Sequence, residues 1–252
     1  MLRGLVKSNA SHDGMGFRLR GLEMTRLETF VDAAFAFSVT MLALSPDNVP
    51  RTFDEMMVLF KGIPAFLTSL AMLLLFWNGH VRMSSRYGLD DGVSRVLSGA
   101  FIAVMLVYVY PLKFMVGSFF ENYIPALRTP TFFNSIGSAQ SLSTMFIVMS
   151  SGFVGMNVML TMHDLYALKM RKALAFTMHE IKVVRCEVGA SLVYIAFGVA
   201  SLMIAIALRS GAGVVWAGFV YAGLGAAIPL YWTVFGPSKA EISDARAQAS
   251  EE

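Results

Sequence analysis

The sequence predicts an all-α membrane protein with six transmembrane helices, and three observations carry that prediction. First, the 252-residue chain is 56% hydrophobic and 15% charged, with a mean hydropathy of +0.61. A soluble domain is about 45–50% apolar and roughly 25% charged. Second, six apolar stretches approach the ~20 residues needed to cross a bilayer: residues 25–44, 60–81, 96–116, 141–160, 188–208 and 214–235. Third, Lys and Arg are distributed unevenly around them. Six spans put both chain ends on one side, and that side carries fifteen basic residues against five on the other. The bias predicts cytoplasmic termini.

The expected organisation is a cytoplasmic N-terminal segment, 1–24, a six-helix membrane domain, 25–236, and a polar cytoplasmic tail, 237–252. Residues 1–24 hold no apolar run of the kind a cleaved signal peptide needs. Residues 117–140, with Pro125 and Pro130, form the long outer connection. Residues 163–187 are charged with helical spacing. They are expected to extend the fourth or fifth span, with a solvated face near anionic headgroups.

Several function classes drop out early. The single cysteine, Cys186, excludes an internal disulfide and a cysteine-built metal cluster. A net charge of +3 is too small to suggest nucleic acid. Phosphate loops, paired zinc histidines and nucleophile elbows are missing, so no catalytic or metal-binding residue is assigned. No Thr-Val-Gly-Tyr-Gly carbonyl filter is present either.

The first stretch is the informative one. Thr25-Arg26-Leu27-Glu28 has the form of a capping box, which starts the helix at the membrane boundary. At ~1.5 Å per residue, Asp32 then lies about 10 Å inside. An intramembrane carboxylate should face protein and find donors. The second stretch ends FWNGHVRMSSR, so Trp77, Asn78 and His80 reach a similar depth and are candidate donors. Around the first helix, Ala33, Phe37, Thr40 or Met41, and Leu44 share a stripe, while Asp32 and Phe35 lie off it. Periodicity leaves two readings open: ordinary packing, or approach to copies of the same helix around an axis.

A resemblance bears on that choice. Arg26-x-x-x-Phe30-Val31-Asp32 resembles the Arg-x-x-x-Phe-Ser-Asp signature opening the first span of the transmembrane protein 175 family, the endolysosomal potassium channel and its bacterial homologues. Ala33, Ala36 and Thr40-Met41-Leu42-Ala43-Leu44 also look like that span. Ser69 and Trp77-x-x-His80 match the second span, and Tyr110-Pro111 is similar to the close of the third. The resemblance implies a bacterial inner-membrane homotetramer whose first helices line a central pore, with potassium as the permeant ion and no cofactor. It further implies a hydrophobic constriction at Phe37, with Thr40, Met41 and Leu44 along the same pathway. Arg26, Phe30, Asp32, Trp77 and His80 would hold the helix at its angle. Two positions depart from the signature: Val31 replaces its serine, and Phe37 replaces a branched aliphatic residue at the constriction.

The leading expectation is therefore a potassium-permeable cation channel and no enzyme, with other monovalent cations and protons as further candidate permeants. The alternative is a proton-coupled or other secondary transporter using Asp32 and His80 as a relay. A membrane scaffold is the third class, and would show neither currents nor coupled flux.

Overall fold

The computed structural model describes residues 12–43, 50–127, 138–209 and 211–251. Among them every regular element is helical, apart from one bridge between His12 and Arg18. Helix α1 (Arg26–Ala43) begins with the reciprocal cap. The Glu28 amide donates to Thr25 Oγ1 at 3.2 Å, and the Thr25 amide donates to Glu28 Oε2 at 2.5 Å. Two of the free N–H groups of the first turn are thereby satisfied. α1 packs against α3 and α4. It buries Val31, Phe35, Ser38 and Leu42, whose spacing of three to four residues makes one helical face.

A short amphipathic helix, α2 (Phe53–Lys61), leads through Gly62 into α3 (Ile63–Tyr87). α3 stops at Gly88, where φ is +58° and the amide closes on the Ser84 carbonyl. Glycine is required there twice over. The left-handed conformation disfavours a side chain, and a Cβ would lie 2.7 Å from the Arg20 carbonyl oxygen of the crossing N-terminal segment.

Helix α4 (Gly92–Tyr123) corrects one expectation: the third span does not close at Tyr110-Pro111 but runs on to Tyr123. Proline removes one backbone donor, and helices in a bundle tolerate that where neighbours support the turn. Leu112, directly after it, is fully buried. The outer connection is correspondingly shorter than residues 117–140.

α5 (Ala139–Lys169) and α6 (Met178–Ala207) pack along the most extensive interface in the chain. The charged segment 163–187 is shared between them. Its first part ends α5, and its last part begins α6 behind a capping box of Thr177 and Glu180. Nor is this segment simply a solvated face: His163, Asp164, Glu180 and Glu187 are all buried.

The last apolar stretch is one helical run in which 3-10 turns at Ala212–Val215 and Val220–Gly223 flank α7 (Trp216–Phe219) and precede α8 (Leu224–Phe235). Tyr231 of α8 crosses α6 so closely that a Cβ at Gly189 would sit 1.9 Å from its hydroxyl oxygen. The polar tail is helical as well, α9 (Lys239–Glu251), and Lys182 grips Glu241 from α6.

Among the described residues, five segments are long and apolar enough to cross a membrane: α3, α4, α5, α6 and Gly213–Phe235. α1 is not among them, because its 18 residues include Arg26, Glu28 and Asp32. The main core joins α1, α3, α4 and α5 through Val31, Phe35, Leu73, Phe101, Met105 and Met156. A second core, where α3 ends, gathers Phe17, Met83, Tyr87 and Val183.

Candidate functional site on the first helix

Burial of one face of α1 leaves the other open. Arg26, Phe30, Ala33, Phe37 and Thr40 are exposed in the protomer. Their spacings of four, three, four and three make one continuous stripe on a 3.6-residue helix. Its large apolar members are uncovered, with Phe30 62% and Phe37 55% exposed, whereas Phe35 is 5% exposed against Phe101. Thr40 Oγ1 donates to the Ala36 carbonyl at 3.0 Å. That bond occupies the hydroxyl hydrogen and leaves oxygen lone pairs directed outward. Met41 stands about 100° round from Thr40. It is half-buried against the main core, with the Tyr110 hydroxyl 3.6 Å from its sulfur. Leu44 lies outside the described residues.

Asp32 sits at the flank of the stripe, half-buried, and accepts a hydrogen bond from Trp77 Nε1 at 2.9 Å. Val31, beside it, is fully buried in the core. Here the serine of the family signature would need a hydrogen-bond partner, and a valine needs only packing.

His80 does not join Asp32. Three residues past Trp77 it points about 60° away, toward α4 and α5. It is buried, stacks on Phe101 at 5.6 Å, and lies 3.2 Å from Ser98 Oγ, which lies 3.3 Å from His163 Nε2. His163 Nδ1 meets the Met159 carbonyl at 2.9 Å. A carbonyl only accepts, so His163 Nδ1 carries a hydrogen. His80, Ser98 and His163 thus form one side-chain chain across α3, α4 and α5.

Two anchors hold the ends of these helices. Glu28 of the α1 cap also accepts a short hydrogen bond from the Ser84 hydroxyl, tying the start of α1 to the last turn of α3. At the start of α4, Asp91 accepts from the Ser94 amide at 2.9 Å and from the Tyr166 hydroxyl of α5. Burial alone would raise the Asp91 carboxyl, but these hydrogen bonds outweigh it and hold the group below the usual carboxylate range.

Sequence reasoning missed the charged cluster beneath the bundle. Arg86 is 1% exposed and donates to Asp13 at 2.7 Å and to Glu187 at 2.6 Å. Arg20 makes a two-pronged pair with Glu180, both bonds 2.8 Å, and donates to the Leu174 carbonyl. The Tyr87 hydroxyl donates to Asp164 at 2.6 Å. Both guanidinium groups lie over the Phe17 ring, at 5.6 and 4.9 Å. The available signal was Glu180 and Glu187, seven residues apart and so on one face of α6.

The comparisons with known proteins meet this geometry at the same helices. Residues 26–111, from α1 into α4, match the family described as "Endosomal/lysosomal potassium channel TMEM175". Over those residues the chain is similar to the TMEM175 family. A curated relative from Marivirga tractuosa, named "Potassium channel", is 38% identical over 107 residues. That match covers 42% of this chain and 43% of the relative's length. A solved structure of a variant of the potassium channel MtTMEM175, in complex with a nanobody fusion protein, superposes with a TM-score of 0.80 at 26% identity. It covers 89% of this chain and 98% of that one. The TMEM175-type fold therefore extends well beyond the matched residues. With its apolar helices, this relative is an integral, multi-pass membrane protein.

Proposed function

We propose that the protein is a potassium-permeable cation channel. Four copies would surround an axis lined by α1, with a hydrophobic constriction at Phe37 and no carbonyl filter. The observation that carries this reading is the open stripe Arg26, Phe30, Ala33, Phe37, Thr40 on a helix whose other face is core. Alanines at 33, 36 and 43 keep the backbone accessible beside the rings, so equivalent helices can approach. A ring of phenylalanines can close such a pathway by excluding water. Thr40 would then offer oxygen lone pairs to a cation just beyond it. The relatives named as potassium channels support the same reading.

In this arrangement Asp32 and Trp77 set the tilt of α1, while Arg26 and Phe30 meet neighbouring copies. α1 would be the sixth span beside the five apolar ones, despite its charges, because its polar face is turned to protein and pathway. Six spans with this basic bias would put both termini in the cytoplasm of a bacterial inner-membrane protein. Residues 25–236 form the channel domain between the two terminal segments. The relay reading draws no support from the geometry, since Asp32 and His80 bond to different partners.

The test is potassium flux into liposomes, with sodium and protons compared and oligomer mass measured in detergent. Phe37→Ala should raise leak several-fold in assemblies of unchanged mass. Flux equal to the parent protein would remove Phe37 from the constriction.

A further inference from the structure

A cavity of about 650 Å³ opens where α6 begins and α8 ends. α6 contributes Lys182 and Arg185, three residues apart and so on one face. α8 contributes Tyr231 and Phe235, whose rings lie 5.0 Å apart at 31°. The terminal helix α9 contributes Glu241 and Asp244. The charges are thus sorted by element: both cations stand on a bundle helix, and both anions on the helix that covers the opening.

Glu241 behaves as an internal substitute for an anion. Lys182 Nζ holds its two oxygens at 2.7 and 2.8 Å, and the Ser238 amide donates to it at 2.7 Å. The Lys182 hydrogen bond, with that from Ser238, holds the carboxyl down to about 2, so it stays ionised at ordinary pH. The Arg185 guanidinium has no hydrogen bond or ion pair among the described residues, Asp244 included. A guanidinium fork suits two oxygens of a phosphate.

The position selects the source of such an anion. No residue of α8 is buried, and Leu230, Val234 and Phe235 stand exposed along it. In a membrane-spanning chain, acyl chains meet that surface, and the end of α8 lies at headgroup depth, where aromatic residues favour the interface.

We propose that this cavity binds the phosphate headgroup of an anionic phospholipid from the adjoining leaflet, with Lys182 and Arg185 as its ligands and Glu241 as its internal competitor. The assignment rests on the chain spanning a membrane and is independent of conduction along α1. Lipid would draw Lys182 away from Glu241 and loosen α9. α9 also reaches the N-terminal segment, where Arg246 donates to the Gly14 carbonyl ahead of α1. Occupancy at the cavity would therefore reach the start of the first helix.

The experiment is native mass spectrometry of the full chain in detergent, counting retained phosphatidylglycerol against phosphatidylcholine. Phosphatidylglycerol should be retained in preference. Lys182→Gln and Arg185→Gln should each weaken its retention about five-fold, the effect of one basic group at a membrane surface. Glu241→Gln should strengthen retention, because the competitor loses its charge. Arg95→Gln, at an exposed cation outside the cavity, should change nothing. Equal retention of the two lipids would overturn the proposal, as would weaker retention in Glu241→Gln. Glycerol phosphate that displaced the lipid at matched concentration would overturn it too, since the free anion would then be the ligand.

Discussion

Asp32 has a single indole N–H as its hydrogen-bond partner among the described residues, and the side chain is half-buried. A hydrogen bond to a charged group contributes about 1.5–3 kcal/mol, and partial exposure puts this one near the lower figure. Trp77→Phe keeps most of the ring and removes the donor, so it should lower the Tm of the detergent-solubilised assembly by a few degrees. Asp32→Ala should act similarly, and the double substitution should cost less than the sum of the two. Additive effects would show that the pair is not coupled. If Asp32 sets the tilt of α1, the loss should appear in assembly before ion preference, and intact assemblies with altered selectivity would count against that role. At this scale the Asp32–Trp77 contact was legible because depth along two antiparallel spans can be counted. The turn of His80 toward Ser98 was not. Depth says nothing of which third and fourth helices stand behind a residue, and only those neighbours give His80 its partners.

At the scale of the element, α1 is held by its cap at one end and by packing along its inner face. The cap is local, so it could be read from four consecutive residues. The course of α4 through Pro111 could not, because a proline is a stop signal in the sequence and becomes tolerable only through neighbouring helices. The cap also has a tertiary arm, the Ser84 hydroxyl on Glu28, which local reading does not contain. Thr25→Ala removes the acceptor for the Glu28 amide and costs about 1 kcal/mol, a usual figure for a lost N-cap. Hydrogen exchange should therefore quicken in the first turn of α1, residues 26–29, while the middle of the helix keeps its protection. Uniformly unchanged exchange would mean that Ser84 and the core hold the turn without the cap. Loss of protection along all of α1 would mean that the cap fixes the whole helix.

Across the whole molecule, the N-terminal segment is part of the fold. It crosses beneath the bundle, with the Arg20 and Gly21 amides donating to the Ser85 carbonyl, Phe17 fully buried, and Asp13 on Arg86. Composition could not reveal this. The partners of Arg86 lie 73 and 101 residues away, and a polar stretch before a first span reads as solvated until its partners are known. The consequence is a strong dependence on one guanidinium. Arg86→Met keeps the aliphatic stem and leaves Asp13 and Glu187 without their shared cation, with the half-exposed Arg82 3.6 Å from Glu187 as a weaker substitute. Removing one partner from a buried ion pair costs about 3–5 kcal/mol. At 2–4 °C per kcal/mol for a chain of this size, Tm should fall by about 10 °C. Adding Glu187→Gln to Arg86→Met should restore part of the loss, because it removes the carboxylate left unmatched in the interior. A double variant no more stable than Arg86→Met would assign the loss to packing over Phe17. Arg86→Lys separates the two further: it retains the charge and gives up the planar stacking surface, so it should stay closer to the parent protein if the ion pairs dominate.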